Sequence, residues 1–403
     1  MKKLTLIILL AISGFSINAQ TAYITNGGDN TVTVINVATN TVTATIPVGA
    51  APTGVSVSPD GSKVYVAWGA NTVSIINTAT NTITHTITVG YGPEGLSVSP
   101  DGSKVYVANY SIGTVSVINT ATNTVTHTIT GFANPIGISI SPDGSKVYVT
   151  NPGDNTVSVI NSATNTVTAT IPVGHNPWGI AVSPDGSKVY VANELCGCDT
   201  VDVINTATNT VSATVTVGAN SFGISVSPDG SKVYVTNSNG IVSVINAATN
   251  TVSDTIAVGL HPIGISVSPD GSKVYVVNCD SIGTVSVINA ATNTVSDTII
   301  VGNNPYAFGN FISTANVGIA LLSAESPCIE VYPNPATNNI TIETRDLRFT
   351  NSSLRIYDML GNLVLEENFN IKKNVDISEL AKGMYFLKVK TEKGIAVKKF
   401  IKE

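Results

Sequence analysis

Three observations predict the fold class. A unit of about 42 residues recurs from Tyr23 to Ile312, each unit holds four short alternating runs rich in β-branched residues, and composition changes abruptly near residue 328. Together they predict an all-β chain: a seven-bladed β-propeller followed by a small Ig-like β-sandwich.

The chain has 403 residues with a net charge of −6, 43% hydrophobic and 11% charged, which excludes a disordered polymer. Lys2 and Lys3 precede an apolar run, Leu4 to Ile12, and small residues follow at Asn18-Ala19, so residues 1–19 are expected to be a secretory signal. The apolar run is too short to span a bilayer, and no later stretch predicts a transmembrane segment in the mature chain. A lipoprotein signal is excluded because no Cys precedes Cys196.

Residues 20–312 carry the repeat. SPDGSKVY recurs with its Ser at 58, 99, 141, 183, 227 and 268. Within a unit the runs are of the type GLSVS, KVYV, TVSVI and TVTHTI, alternating as strands do. SPDG supplies a hairpin turn and ATN an Asn-based turn, which account for Asp60, Asp101 and Asp143 without chemistry. The TVxVIN-type strand occurs seven times, from Thr31 to Thr284, whereas SPDGSK occurs six times. The chain therefore enters in the second strand of a unit, and the expected seventh blade combines residues 23–49 with residues 305–312 as its missing first strand. Closure removes the free edges of an open array; a solenoid, the alternative, would leave uncapped ends.

The repeats with Tyr148-Val-Thr-Asn151 and Tyr234-Val-Thr-Asn237, SPDG and ATNT resemble the YVTN-type seven-bladed β-propeller family. The resemblance implies a Gly-Ile-Ser-Val strand nearest the axis, and roles in that family range from surface-layer structure to haem or lactone chemistry.

In a propeller the SPDGSK and ATNT hairpins share one face, with all six Lys of the repeat region, and the varied links share the other. Residues 20–328 hold 6 Lys, no Arg and 16 acidic residues, so no basic stripe exists for nucleic acid, and axial haem ligation with cations for the propionates finds no Arg. On the varied face Trp68, Tyr91, Tyr110, Trp178 and Tyr306 form a candidate aromatic rim with Glu94, Asn134, Asn176 and Asn304, suited to a glycan or an extended polypeptide. The competing reading packs these aromatics over Pro at blade junctions. Tyr65, Tyr106, Tyr148, Tyr190, Tyr234 and Tyr275 recur at one strand position and are read as structural.

The disulfide candidates are Cys196, Cys198, Cys279 and Cys328, with three pairings open. His175 on the blade of Cys196 and Cys198 makes a soft metal site the alternative. His85 and His127 fall on outer strands, and no Ser/His/Asp spacing or zinc motif occurs. No cofactor is predicted; a calcium ion held by loop carboxylates and carbonyls stays open.

Residues 313–328, Ser/Ala-rich with an apolar piece at Val317–Leu322, read as a linker. Residues 329–403 carry 12 basic and 10 acidic residues and the ordered motifs YPNP, YDMLGN, LAKGMYFLKV and a final KKFIK. This combination resembles the C-terminal sorting domain of type IX secretion cargo. That implies contact with the secretion machinery and release from, or attachment to, the outer surface of a Gram-negative bacterium; an ordinary Ig-like adhesive module is the alternative. The whole reads as a secreted or cell-surface protein binding an extracellular glycan or protein, with a metal-dependent lactonase-like hydrolase and a structural surface-coat component as alternatives.

Overall fold

In a computed structural model of the chain the described residues are 20–69, 71–194, 199–313, 329–344, 352–358, 363–369, 372–391 and 394–403. The signal segment 1–19, the piece 314–328, Cys196, Cys198 and Cys328 lie outside them. The described residues belong to two compact units, divided after Asn316.

In the first unit the described residues form six four-stranded sheets and one three-stranded sheet, all antiparallel. Blades 1 to 6 begin with the strands Pro52–Val57, Pro93–Val98, Ile138–Ile140, Pro177–Val182, Ser221–Val226 and Pro262–Val267. Blade 7 holds Thr21–Asn26, Thr31–Asn36 and Thr41–Pro47. Second and third strands are buried on both faces, and fourth strands expose six of their seven residues in part or whole, with His85 and His127 on that exposed surface. All seven outer strands carry a register shift against the third strand, as between Val117 and Ile118, and the bulge twists each edge away from pairing with another chain.

Residues 305–313 supply the inner strand of blade 7. Tyr306 and Ser313 donate backbone N–H bonds to Thr25 and Thr21, and Tyr23 donates to Phe311, all at 2.9 Å. On its other side the segment accepts from Val55 at Phe308 (3.0 Å) and from Val57 at Asn310 (3.1 Å). The clasp starts at Thr21 and reaches Ser313, slightly wider at both ends than the repeat pattern indicates. Phe311, Ile312 and Ala307 enter the core with Ala22, Tyr23, Val55 and Tyr275.

The repeated motifs each have a mechanical use. In SPDGSK the Ser58 hydroxyl donates to Asp60 (2.6 Å) while accepting the Lys63 N–H (2.9 Å), and Ser62 donates to both Asp60 oxygens; the other five copies repeat this. The Lys ammonium reaches the next blade: Lys104 donates to the Ser162 carbonyl (2.5 Å), Lys188 to Ala247 (2.6 Å) and Lys273 to Val37 (2.6 Å), the last closing the ring. The Tyr of KVYV is fully buried in six blades, and the Tyr275 hydroxyl donates to Asn40 (2.8 Å) across the last junction. The Asn ending the second strand pins the third: Asn109 donates to Thr114 (3.0 Å) and Ser116 (2.9 Å).

These hydroxyl and N–H donors hold the Asp101, Asp143, Asp185 and Asp229 carboxyls down at about 2, below the ordinary 3.8. The unfolded chain takes up these protons first as pH falls. The propeller is therefore expected to keep this stabilisation above about pH 4 and lose it toward about pH 2, with denaturation midpoints followed by tryptophan fluorescence. A midpoint unchanged across that window would mean that the turn bonds do not form.

The second unit pairs Ile329–Tyr332, Asn339–Thr344 and Lys372–Asp376 in one sheet, and Leu363–Phe369, Ser352–Tyr357, Gly383–Thr391 and Gly394–Lys402 in another. Its core holds Ile340, Ile342, Leu354, Ile356, Leu387, Val389 and Phe400. The LAKGMY motif is a tyrosine corner: the Tyr385 hydroxyl donates to the Ala381 carbonyl at 2.8 Å, and the ring stacks on Phe400. YPNP, with both X-Pro bonds cis, docks on the last strand, where Asn334 accepts from the Ile401 N–H (2.9 Å).

Candidate functional site

The two propeller faces differ in how their polar groups are employed. On the SPDGSK face the Asp, Ser and Lys side chains are bonded within the chain as described. The other face carries the groups that the repeat does not explain.

At its centre each first strand begins with, or in blade 3 directly follows, Pro-x-Gly or a variant, and the glycine has a steric reason. A Cβ on Gly95 would lie 2.2 Å from the Ile136 carbonyl oxygen, on Gly137 2.3 Å from that of Trp178, and on Gly179 2.2 Å from that of Phe222. Each inner strand thus abuts the backbone of the next, and the residues at x form a ring: Thr53, Glu94, Ile136, Trp178, Phe222, Ile263 and Tyr306. Side-chain bonds tie it together, Thr53 donating to Pro93 (3.1 Å), Thr150 to Trp178 (2.9 Å) and Thr236 to Ile263 (3.0 Å). Below it runs an axial cavity of about 250 Å³, lined by the Gly-x-Ser segments with Ser97, Ser139, Ser225, Ser266 and Asn310. The strand that the family resemblance places nearest the axis is the one found there.

Three sequence-derived candidates, Glu94, Trp178 and Tyr306, occupy position x on blades 2, 4 and 7. Trp178 packs edge to face on Phe222, centroids 5.2 Å apart. Enclosure pushes the Glu94 carboxyl up to about 7 from 4.5, and no described residue hydrogen-bonds to it. Burial raises the Tyr306 hydroxyl, with Glu94, Cys279 and Glu194 adding repulsion. Glu194 is raised by burial and then by Asp199, while Asn176 donates to it at 2.7 Å. The Trp178 indole N–H lies near Glu194 and lowers it, but outside hydrogen-bond geometry.

The other candidates are distributed differently. Tyr91 (59% exposed) and Tyr110 (39%) stand on adjoining links of blade 2, beside the exposed Ile112. Backbone bonds from Ser111 to Tyr91 and from Tyr110 to Gly92 hold the links together. Asn134, Asn176 and Asn304 occupy left-handed backbone, φ 46–54°, at the turn before Pro, a conformation that Asn tolerates. That explains their recurrence as turn chemistry. Trp68 stands where other blades have the pinning Asn, and its indole donates to Ser74 at 2.9 Å; it belongs to blade 1 and does not join the ring. Sequence reasoning missed Phe222, Ile136, Ile263 and Thr53, although aligning the units on Pro-x-Gly places all of them at one register position.

Among the described residues no three His, Cys, Asp or Glu side chains converge as a metal site, and no helix is long and apolar enough to cross a membrane. The His175, Cys196 and Cys198 alternative and the cysteine pairings fall partly outside those residues. Cys279 is half-buried, and burial followed by Asp280 raises its thiol.

Residues 69–151 and 144–241 match the family described as YNCE-like beta-propeller, and residues 330–403 match the secretion system C-terminal sorting domain. No curated protein matches the chain. Similar solved structures include a functionally unknown protein from Desulfotomaculum acetoxidans DSM 771 (20% identity, TM-score 0.64, covering 73% of this chain and 99% of that one). Another is Kuenenia stuttgartiensis hydrazine synthase (22%, 0.60, 70% and 92%). A third is dihydro-heme d1 dehydrogenase NirN in complex with DHE (16%, 0.53, 89% and 75%). At these identities they establish the fold alone. Repeat, closure and sorting motifs agree with these matches: the chain is a seven-bladed β-propeller repeat protein with a type IX secretion C-terminal sorting domain, exported to the outer surface of the cell or beyond it.

Proposed function

We propose that this protein recognises an extracellular glycan or protein through the varied face of its propeller, by binding without turnover. One observation carries the reading: the recurrent polar groups of the SPDGSK face are employed in holding blades together, whereas the varied face presents the exposed Tyr91, Tyr110 and Ile112 and the unbonded Glu94 carboxyl. The exposed Ile112, on the same short turn as Tyr110, favours a protein partner, because an exposed aliphatic near aromatics gains most from an apolar surface. The secretion machinery is a separate partner, engaged through residues 329–403.

The test is binding of the full chain to a glycan array and to a panel of extracellular proteins, beside a Tyr91→Ala, Trp178→Ala double variant. Saturable binding lost in the folded variant is the expected result. Binding that survives both substitutions would overturn the assignment of the face.

A further inference from the structure

The axial cavity departs from the symmetry of the repeat. In blades 2 to 5 the last two residues of the inner strand are half-buried, whereas their counterparts in blades 1 and 6, Ser56-Val57 and Ser266-Val267, are covered. Between those two blades lies the clasp of blade 7. Pro305 and Ser313 hold the places of Pro93 and Ser99 in blade 2, but the segment between them is two residues longer. The extra length turns at Gly309, φ 127°, a conformation open to glycine, and brings Asn310 to the cavity wall.

Asn310 is fastened on two sides, its carbonyl accepting from Val57 (3.1 Å) and its side-chain oxygen from the Ser266 hydroxyl (3.2 Å), which leaves its side-chain N–H groups to donate. Blades 2, 3 and 5 contribute the Ser97, Ser139 and Ser225 hydroxyls to the same cavity. Ser139 and Ser225 each accept a backbone N–H of the next blade, from Val182 and Val267 at 3.2 Å, so their own protons stay available. In blade 4 Ala181 stands at the serine's register position, opposite the repeated Tyr, and leaves a gap in the belt of hydroxyls.

The lining decides the chemistry of a guest. Among the described residues it includes no charged side chain, so an enclosed ion would lack a counter-charge, and a calcium ion would lack carboxylates. A wholly apolar guest would strip water from the hydroxyls and the amide without replacing its hydrogen bonds. The volume of about 250 Å³ holds about eight waters at roughly 30 Å³ each, far more than one bare ion fills. A compact molecule with several hydroxyls replaces such waters bond for bond.

We propose that this off-centre cavity binds a neutral polyhydroxyl ligand of hexose size, with Asn310 donating from one wall, Ser97, Ser139 and Ser225 exchanging hydrogen bonds from the others, and Ala181 leaving room for the sugar ring. The site goes beyond the recognition reading and uses none of its residues, so either can fail alone.

The test is calorimetric titration of the full chain with glucose, galactose and mannose, with glucuronate and glucosamine as charged counterparts, and with a neutral oligosaccharide ending in the hexose that binds. At least one neutral hexose is expected to bind saturably, and both charged sugars at least about tenfold more weakly. Ala181→Leu, which fills the gap, is expected to abolish binding, and Asn310→Ala to weaken it about three- to tenfold, the loss of one or two hydrogen bonds. Unchanged melting temperatures in both variants separate loss of the site from loss of the fold. Oligosaccharide binding as tight as that of the hexose identifies a glycan terminus as the source, and binding of the free hexose alone identifies a small-molecule ligand. Hexose binding unaffected by Ala181→Leu would overturn the proposal, as would charged sugars bound as tightly as neutral ones. So would the absence of binding by every neutral hexose at about 20 mM, where a millimolar site is nearly saturated.

Discussion

Replacing Phe311 by Ala is expected to lower propeller stability by about 3–5 kcal/mol, the range for a fully buried Phe whose site cannot collapse. Phe311 is wholly buried in the core shared with Tyr23, Val55 and Tyr275, and it lies on the segment that is hydrogen-bonded both to the N-terminal strand and to blade 1. The substitution therefore loosens the one junction of the ring that joins residues nearly 300 positions apart. Both tryptophans of the chain, Trp68 and Trp178, lie in the propeller, so urea unfolding followed by their fluorescence reports this unit separately from the sorting domain. A midpoint equal to wild type would mean that residues 305–313 do not clasp the ring in solution.

Replacing Glu94 by Gln is expected to stabilise the protein at alkaline pH. The folded-state pKa of about 7 lies above the ordinary 4.5, so ionisation in the folded chain is opposed by burial. The folded chain holds the proton more tightly than the unfolded chain between those values, and stability falls as pH rises through that window. The cost is complete above about pH 7 and amounts to as much as about 3 kcal/mol. Glu94→Gln should thus match wild type near pH 4, exceed it by up to that amount near pH 8, and flatten the intervening slope, as read from urea midpoints at each pH. Equal slopes in the two proteins would show Glu94 to be solvated and ordinary. A residue that costs stability in the folded chain is more readily understood as serving a ligand than as serving the fold.

Much of the fold was legible because its information is local. Alternation identifies the four strands of each unit, SPDG and ATN mark their hairpins, and seven third strands against six SPDGSK turns imply a blade completed from both ends of the repeat. The tyrosine corner at Tyr385 and Ala381 is likewise spelled out within LAKGMY. The site was less legible, since its neighbours belong to different blades. Glu94, Trp178 and Tyr306 share one register position at the start of inner strands whose glycines let consecutive blades touch around the axis. Asn134, Asn176 and Asn304 look like ligand groups in sequence, yet their backbone lies in the left-handed region, which makes turn geometry a sufficient reason for them. Trp68 looks like an exposed platform, but its indole stands in for a repeated amide in the blade, a substitution visible only when the units are superposed.

The central claim, that one face holds the ring together while the other meets the outside, is tested most directly by hydrogen exchange of the full chain with and without a partner recovered from the array. The account predicts added protection in the links around Tyr91–Glu94, Tyr110–Ile112 and Asn176–Trp178, and none in the SPDGSK turns. Protection confined to the SPDGSK turns, with the axial mouth and its flanking links unchanged, would contradict it.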